Sequence, residues 1–308
     1  MQIPSFALPR LGLWTASLDF VPLARACELA AGIEQLGYGA LWVPEVAGRD
    51  VFVGLGALLR STERLIGATG IASIWARDAV TMTGGAKALT EAFPERVLLG
   101  LGVSHHSLVE GLRGHTYRRP LEAMRSYLDA MDASPYSGFR PGTPVRRVLA
   151  ALGPRMLDLA AERTEGAHTY LVTPEHTAFA RERLGAEAEP ASRRLLCVEQ
   201  AVLAEADPST AREVARGHTS VYVGLPNYQA NLRRLGFEEK DLAGGGSDRL
   251  VDAIVAWGDE ETIARRVREH FDAGADHVCV QPLEAERRSV PSQQWELLAP
   301  ALLEASAG

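Results

Sequence analysis

Residues 63–106 read ERLIGATGIASIWARDAVTMTGGAKALTEAFPERVLLGLGVSHH, and this stretch decides the fold. Its two apolar runs, residues 65–71 and 97–103, lack the strict alternation of a half-exposed strand, which is typical of parallel strands buried on both faces. Apolar residues recur between the runs at helical spacing, at Ala79, Met82, Ala86, Leu89 and Phe93. The pattern predicts a β-α-β unit with a right-handed crossover.

Polar and aromatic side chains follow each of these two strands directly. They are Ser73, Trp75 and Arg77 after the first strand, and Ser104, His105 and His106 after the second. Enzymes built from alternating strands and helices usually keep their chemistry in the loops at the carboxyl ends of the strands. We therefore expect the functional groups of this chain at that end of the sheet.

Length and composition are those of an ordinary soluble protein. The chain has 308 residues, 46% hydrophobic and 23% charged, and no apolar run approaches the roughly 20 residues of a membrane span. The N-terminal stretch lacks the features of a signal peptide, so we expect a cytoplasmic protein with no membrane partner. The net charge of −7 argues against nucleic acid as a partner.

Several familiar kinds of site are absent from the sequence. Cys27, Cys197 and Cys279 are widely spaced in apolar segments, which fits neither a disulfide framework nor a metal site. No set of His, Cys, Asp and Glu residues has metal-ligand spacing, so no metal is expected. The complete glycine fingerprint of a dinucleotide site, a Walker loop and a G-x-S-x-G elbow are also missing.

Eight strands are predicted along the chain, seven of them connected through helices and none joined by a hairpin. They span residues 10–14, 40–43, 65–71, 97–103, 147–152, 167–172, 195–204 and 277–281. This order favours an α/β fold of the closed (β/α)8 TIM-barrel type over an open doubly wound sheet. We interpret residues 1–308 as one barrel domain, with residues 205–258 as a helical insertion between strands seven and eight.

Residues 153–156 are a candidate phosphate-binding loop. Gly153 permits close approach, Pro154 begins a helix without losing a hydrogen bond, and Arg155 and Met156 follow in the first turn. The amides of such a helix start bind anions, although an ordinary barrel loop is the simpler interpretation. Thr173 precedes a second proline-started helix, where N-capping alone explains it.

Three ionisable side chains at strand ends are candidates for proton transfer or cofactor orientation. His105 and His106 follow strand four, and Glu45 follows strand two. A histidine there can donate a proton. The alternatives are a histidine hydrogen-bonded within its loop and an exposed acid that caps a helix.

Three tryptophans lie at or near the ends of strands one to three. Trp14, Trp42 and Trp75 could together wall a flat aromatic ligand, although core packing is the usual fate of tryptophan. With Tyr222 from the predicted insertion, they form the predicted substrate pocket.

The chain resembles the luciferase-like monooxygenase superfamily, in the branch that binds the deazaflavin cofactor F420. The resemblance covers almost the whole chain, and its most specific part ends at residue 106. It is carried by LGYGALWVPE (residues 36–45), ATGIASIWARDAVTMTGGAKALTEAFPERVLLGLGVSHH (68–106), ALGPRMLDLAAERTEGAHTYLVTPEHT (151–177) and GDEETIARRVREHFDAGADHVCVQPL (258–283).

The resemblance implies a cofactor ring at the carboxyl-end mouth of a barrel, against a non-proline cis peptide in a bulge that ends strand three. That peptide is expected at Gly70-Ile71 or, less favourably, at Thr69-Gly70. The implied cofactor site also includes Val103, Ser104 and Thr173. The family's phosphate loop matches residues 153–156.

The resemblance also gives roles to the two strand-end side chains, with departures. Glu45 stands where relatives place an acid near the ring, and His105 stands at an active-site position where some relatives carry glutamate. Several F420 dehydrogenases have histidine at the position of Val46. Lysines that bind a sugar phosphate are unmatched, because only Lys87 and Lys240 occur, so glucose 6-phosphate is a poor substrate candidate.

The leading functional hypothesis is an F420-dependent oxidoreductase that transfers a hydride between C5 of the deazaflavin and a small organic substrate, with His105 as proton relay and Glu45 orienting the ring. One alternative is an FMN-dependent monooxygenase, because the same barrel and phosphate loop serve both cofactors. Another is a catalytically silent cofactor-binding protein, which the loss of histidine at Val46 supports. The resemblance further implies a homodimer.

Overall fold

A computed structural model of the chain describes residues 7–185, 193–286 and 288–307. Residues 1–6 of the N-terminal stretch therefore lie outside the described residues, as does part of the segment before strand seven. The strands are β1 Leu11–Trp14, β2 Ala40–Val43, β3 Ile66–Thr69, β4 Ala72–Ser73, β5 Val97–Gly102, β6 Arg146–Ala150, β7 Gly166–Thr169, β8 Leu195–Leu203, β9 Ala256–Trp257 and β10 His277–Pro282.

Helices follow most of the strands. They are α1 Leu23–Gln35, α2 Val51–Arg60, α3 Ala79–Ala92, α4 Pro120–Asp132, α5 Pro154–Arg163, α6 Pro174–Arg183, α7 Pro208–Thr219, α8 Pro226–Arg234, α9 Glu239–Leu242, α10 Asp248–Ile254, α11 Glu260–Asp272 and α12 Ser292–Ser306. Gly37 and Gly274, with φ of +97° and +101°, follow α1 and α11 in the left-handed conformation that commonly ends a helix.

The sheet closes on itself, which confirms the predicted (β/α)8 barrel. All pairings are parallel and run in the order β10, β1, β2, β3, β5, β6, β7, β8, and β8 then pairs with β10. The short β4 continues β3 along β5 after a bulge, and β9 extends the mouth end of β8. The carboxyl ends of all these strands therefore surround one mouth.

The strands divide their side chains between two cores, as alternation requires. One face fills the barrel interior with residues such as Trp42, Leu98, Val148, Cys197 and Cys279. The opposite face joins the helices in a larger outer core. Helix α1 shows the matching pattern, because its buried residues recur at helical spacing, at Ala26, Leu29, Ala30 and Ile33.

The segment between β8 and α11 holds α7 to α10 and packs as a cluster of its own on the end of β8. Its buried residues include Ala211, Leu232, Leu250 and Ile254, against Leu203 of the strand. Here the predicted helix bounds are partly wrong. The sequence of this segment predicts helices over residues 221–235 and 249–257. The first begins only at Pro226, and the second ends at Ile254, before β9.

Another difference follows β5. The polar, glycine-interrupted sequence of residues 108–119 predicts a loop. Instead, Ser107–Leu112 form a π-helical turn, which returns to loop at Arg113. Such wide turns are often found at functional sites. This one lies directly after the two histidines.

Within the described ranges, no helix has both the length and the apolar character that crossing a membrane requires. The same residues contain no group of three or more His, Cys, Asp or Glu side chains arranged to hold a metal ion.

Candidate active site

A backbone bulge between β3 and β4 lies at the barrel mouth, and we name it the Gly70-Ile71 bulge. Its central peptide is cis, at the bond the resemblance favours. The amide of Gly70 donates to the carbonyl of Val43 at 2.8 Å, and its carbonyl accepts a hydrogen bond from the Trp14 indole at 3.1 Å. The bulge is thus fixed from β1 and from β2.

Two glycines of β5 let the bulge pack against the neighbouring strand. A Cβ atom on Gly100 would lie 2.1 Å from the carbonyl oxygen of Thr69, and one on Gly102 would lie 2.4 Å from the Ile71 side chain. On Gly70 itself, a Cβ would meet the Trp14 indole nitrogen at 2.6 Å. Side chains at these positions would push the bulge away from β5, so its position depends on glycine.

Glu45 supports the bulge from the loop after β2, and its carboxylate is fully engaged. Arg77 binds both of its oxygens, one of them at 3.0 Å, and the amide of Ser73 donates to it at 2.9 Å. Its side chain is only 6% exposed. Arg77 also pairs with Asp50, the N-cap of α2, at 3.0 Å. Both oxygens of Glu45 therefore already accept hydrogen bonds from protein groups, and its role in orienting a ring stays a prediction.

The three predicted pocket tryptophans have different environments. Trp14 contacts the bulge and the ring of Tyr170, with centroids 5.4 Å apart. Trp75 is half-buried and donates from its indole to the Val103 carbonyl at 2.9 Å. Trp42 is 0% exposed. Because Trp42 is sealed in the barrel interior, its prediction as a pocket wall is wrong.

Below the mouth, Trp42 joins two neutral histidines. Its ring stacks on His168 with centroids 4.3 Å apart, and its indole donates to Nε2 of His277 at 2.9 Å. Burial lowers the pKa of His168 to about 3 and that of His277 to about 4. This layer is uncharged and forms the packed interior beneath the mouth.

The two histidines after β5 are distinguished by their surroundings. His106 is exposed and pairs with Glu110 at 3.1 Å. His105 is half-buried beneath the insertion, hydrogen-bonded to the Asn227 side chain and with its ring 5.7 Å from that of Tyr228. Burial lowers the pKa of His105, and the Asn227 hydrogen bond partly opposes that shift. His105 is therefore the histidine at the mouth.

The backbone that leads to His105 is held in an unusual conformation. Ser104 has a φ of +55°, in the left-handed region, and its carbonyl accepts a hydrogen bond from the Tyr117 hydroxyl at 3.3 Å. The preceding carbonyl, that of Val103, is the one bound by Trp75. Hydrogen bonds thus fix the backbone carbonyls of both predicted cofactor residues on this turn, Val103 and Ser104.

On the opposite side of the mouth, Tyr222, a predicted pocket residue, clusters with Tyr170 and Gln281, two polar side chains that the sequence does not mark as functional. The Tyr170 hydroxyl lies 3.0 Å from that of Tyr222 and donates to Oε1 of Gln281 at 2.8 Å. Below them on β8 lies Glu199, only 1% exposed. The one available signal was the polar Glu199-Gln200 pair, which interrupts the apolar strand over residues 195–204.

A cavity of about 520 Å³ opens beside this cluster, between the exits of β1 and β10 and helix α7. Of the predicted pocket residues, Tyr222 lines it and the three tryptophans do not. Its polar lining includes Thr15, Ser17, His218, Tyr222, Gln281 and Glu284.

The predicted phosphate loop has the features of an open helix start. No side chain caps α5, and a Cβ atom added to Gly153 would meet no atom beyond its chain neighbours within 4 Å. Arg155 is exposed, and none of the ion pairs found among the described residues includes it. His176 of α6 lies 2.9 Å from the Leu152 carbonyl and positions the chain ahead of the loop.

The predicted N-cap at Thr173 is only half confirmed. Its backbone has the extended conformation of an N-cap residue, with φ of −102° and ψ of 166°, but its side chain makes no capping hydrogen bond.

Comparison with known proteins identifies similar chains and folds. A Mycobacterium tuberculosis protein whose name describes it as a coenzyme F420-dependent oxidoreductase is 26% identical, over 90% of this chain and 95% of its own. The structure of a coenzyme F420-dependent tetrahydromethanopterin reductase from Methanopyrus kandleri superposes with a TM-score of 0.76, at 16% identity, over 97% of this chain and 99% of its own.

A flavin enzyme shares the same fold. The oxygenating constituent of 3,6-diketocamphane monooxygenase from Pseudomonas putida, solved with FMN, superposes with a TM-score of 0.71, at 13% identity, over 97% of this chain and 98% of its own. The family described as luciferase-like monooxygenase matches residues 1–277. On that match, the chain belongs to the luciferase-like monooxygenase family.

Proposed function

We propose that the protein is an F420-dependent oxidoreductase that transfers a hydride between C5 of the deazaflavin and a small organic substrate. The observation that carries the proposal is the Gly70-Ile71 bulge, held at the mouth by Trp14 and by the glycines of β5. The similarity to a protein described as an F420-dependent oxidoreductase over 90% of this chain supports the choice of cofactor.

The residues present fit such a cofactor. The start of α5 offers the backbone amide of Arg155, open space at Gly153, and the charge of Arg155, which forms no ion pair within the described ranges. Together these features suit a phosphate group. The bulge offers a firm backbone surface on which a planar ring can rest. When bound, the deazaflavin supplies the centre that accepts or donates the hydride.

The protein's own contribution is proton transfer, orientation and exclusion of water. His105 is the proposed proton relay, and its lowered pKa leaves it neutral near pH 7, so it can accept a proton from a substrate hydroxyl. The Asn227 hydrogen bond fixes its ring. Trp14 and Trp75 hold backbone at the mouth, while Tyr222 lines the cavity proposed for the substrate.

Fluorescence titration of the purified protein with F420 and with FMN tests the cofactor. We expect micromolar or tighter binding of F420. Replacement Arg155→Ala should weaken it by about tenfold, equivalent to about 1.4 kcal/mol, by removing one charge from the phosphate site. The exposed Arg25→Ala variant is the matched control. Tight binding of FMN alone would contradict the proposal and favour the monooxygenase, which the FMN-bound fold neighbour supports.

Turnover separates an enzyme from a silent cofactor-binding protein. Reduced F420 is to be mixed with a panel of small carbonyl compounds and its reoxidation followed. We expect His105→Ala to lower the rate by roughly 10²–10⁴-fold, the usual contribution of a positioned acid or base. His106→Ala is the control, because that side chain is exposed. Unchanged turnover and an unchanged pH profile in His105→Ala would remove the assigned role.

The proposal extends to assembly and location. From the family resemblance we infer a cytoplasmic homodimer. Light scattering during size-exclusion chromatography measures the mass in solution, and a monomer at micromolar concentration would contradict the inference.

A further inference from the structure

Glu199 occupies an unusual position for a carboxyl group. Its neighbours in sequence, Val198 and Gln200, point to the outer core and to His270 of α11, so Glu199 points to the barrel interior. The sheet register pairs it with Cys279, two residues below Gln281 of the cavity wall. The carboxyl group thus lies one layer beneath the mouth.

The hydrogen bonding of Glu199 is incomplete. One oxygen accepts the amide of Leu171 at 3.1 Å. The other oxygen, Oε1, has no hydrogen-bond partner among the described residues, although the side chain is only 1% exposed. A buried polar atom without a partner is costly, so a native structure that retains one commonly uses it.

The ionisable groups that face Glu199 are all uncharged near pH 7. They are Tyr170 from the end of β7, Tyr222 and Tyr228 from the insertion, and Cys279 from β10, whose pKa values are all raised, chiefly by burial. None of them can balance a negative charge. Burial accordingly raises the pKa of Glu199 to about 8.

We propose that Glu199 is a further ligand-binding residue, a neutral carboxylic acid whose Oε1 hydroxyl donates a hydrogen bond to a carbonyl oxygen of the molecule bound in the mouth. The carbonyl belongs to the cofactor ring or to the substrate. This inference rests on the proposed function only for the identity of that molecule.

The proposed hydrogen bond requires the protonated form of Glu199. A carboxylate at this position would present a second acceptor to a carbonyl oxygen and repel it, whereas the acid presents a donor. Tyr170, which faces Glu199, also packs on Trp14, and Trp14 donates to the bulge, so the proposed donor and the proposed ring site share one group of neighbours.

Infrared spectroscopy of the protein without cofactor tests the protonation state. We expect a carboxylic-acid C=O band at pH 7 that disappears in Glu199→Gln and remains in Glu182→Gln, a matched replacement of an exposed carboxylate. Identical acid bands in wild type and Glu199→Gln would overturn the inference without touching the proposed function.

Cofactor titration across pH tests the hydrogen bond. If only the neutral acid binds, the Kd of wild type should rise about tenfold for each pH unit above about 8. Glu199→Gln keeps a donor that does not titrate, so its Kd should lack that rise. Glu199→Leu should bind more weakly at every pH, and Glu182→Gln should follow wild type.

The same variants distinguish the two sources of the carbonyl. A pH rise in the Kd of F420 or FMN that Glu199→Gln abolishes assigns the acid to the cofactor. A Kd that does not change with pH, together with a pH-dependent rise in the KM of a reactive panel compound, assigns the Glu199 acid to the substrate. Equal pH profiles in wild type and Glu199→Gln for both quantities overturn the inference. Failure to bind either cofactor overturns the proposed function instead, and the infrared band still decides the state of Glu199.

Discussion

Two regions of the barrel bury ionisable side chains in opposite ways. At the corner between β2 and β4, the buried Glu45 and Arg77 form an ion pair, and Arg77 also pairs with the exposed Asp50. In the barrel interior, Glu199, His168 and His277 lie among neutral groups, and burial shifts the pKa of each toward its uncharged form. The corner pairs opposite charges, whereas the interior keeps its ionisable groups in their uncharged forms.

The difference shows why location after a strand did not identify the functional acid. Glu45 stands at a strand end, but Arg77 and the Ser73 amide occupy its oxygens. Glu199 lies within a strand, yet one of its oxygens is unused. The set of partners, rather than the place in the fold, decides which carboxyl can act on a ligand.

Acidification should have the largest effect on the free energy of unfolding, because the buried histidines of the barrel are uncharged in the folded state. Burial lowers the pKa values of His168 and His270 to about 3, and those of His176 and His277 to about 4. The folded state therefore binds fewer protons than the unfolded state below pH 6.5, and stability falls with pH. Each histidine contributes up to about 1.4 kcal/mol per pH unit, and Glu199 opposes them with one proton.

Urea unfolding at pH 6.5 and 4.5 measures this slope. The unfolded histidines are only half protonated at pH 6.5, so the net averages about 2.5 protons over this interval and predicts a loss of about 7 kcal/mol in the free energy of unfolding. His176→Gln should reduce the slope by one proton, while the exposed His106→Gln should leave it unchanged. Equal stabilities at the two pH values would mean that the interior histidines are not held neutral.

Breaking the charged corner should have the next largest effect. Arg77→Ala leaves the Glu45 carboxylate buried without its partner, which we expect to cost about 3–5 kcal/mol of unfolding free energy. Arg25→Ala removes an exposed pair and should cost under about 1 kcal/mol.

A double replacement sharpens that result. Glu45→Leu with Arg77→Met removes both charges and should cost less than Arg77→Ala alone, since no unpaired charge remains. A larger cost for the double variant would show that the pair itself, rather than the avoidance of a lone charge, stabilises the corner.

The smallest expected effect is a gain. At pH 7 Glu199 is ionised in the unfolded chain but protonated in the folded chain. Its raised pKa in the folded chain therefore lowers the free energy of unfolding at this pH. Glu199→Gln avoids that cost and should raise the free energy of unfolding by roughly 3 kcal/mol at pH 7, with the gain shrinking toward pH 4.5. Thermal or urea unfolding at both pH values measures it, and a loss of stability at pH 7 would contradict the neutral-acid assignment.

The barrel could be predicted because its signal is local. Buried parallel strands appear as apolar runs, and the helices between them have a periodicity of their own. The sequence therefore predicts strands over residues 65–71 and 97–103, with a helix between them along the chain. The bulge itself came only from the resemblance, because packing of Gly100 and Gly102 against it is a tertiary contact. Bounds failed most in the insertion, where short helices such as α8 follow turns without apolar periodicity.

Individual site residues were harder to predict, since their roles depend on partners distant in sequence. Trp42 was expected in a pocket, but His168 and His277, more than a hundred residues away, enclose it. Tyr170, Glu199 and Gln281 come together only when β7, β8 and β10 pair. Tyr222 and His105 remain predictions whose surroundings now suit the proposed roles.

The glycines beneath the bulge have a consequence for mutational tolerance. Neither Gly100 nor Gly102 carries a group that could react or bind, yet a single added carbon would collide with the backbone of Thr69 or the side chain of Ile71. The shape of the mouth is therefore encoded partly by missing atoms. In a library of single substitutions, Gly100 should be the least tolerant, because its added carbon meets backbone, and Gly102 should accept alanine only if the Ile71 side chain shifts. Gly153, after the neighbouring β6, has room for alanine.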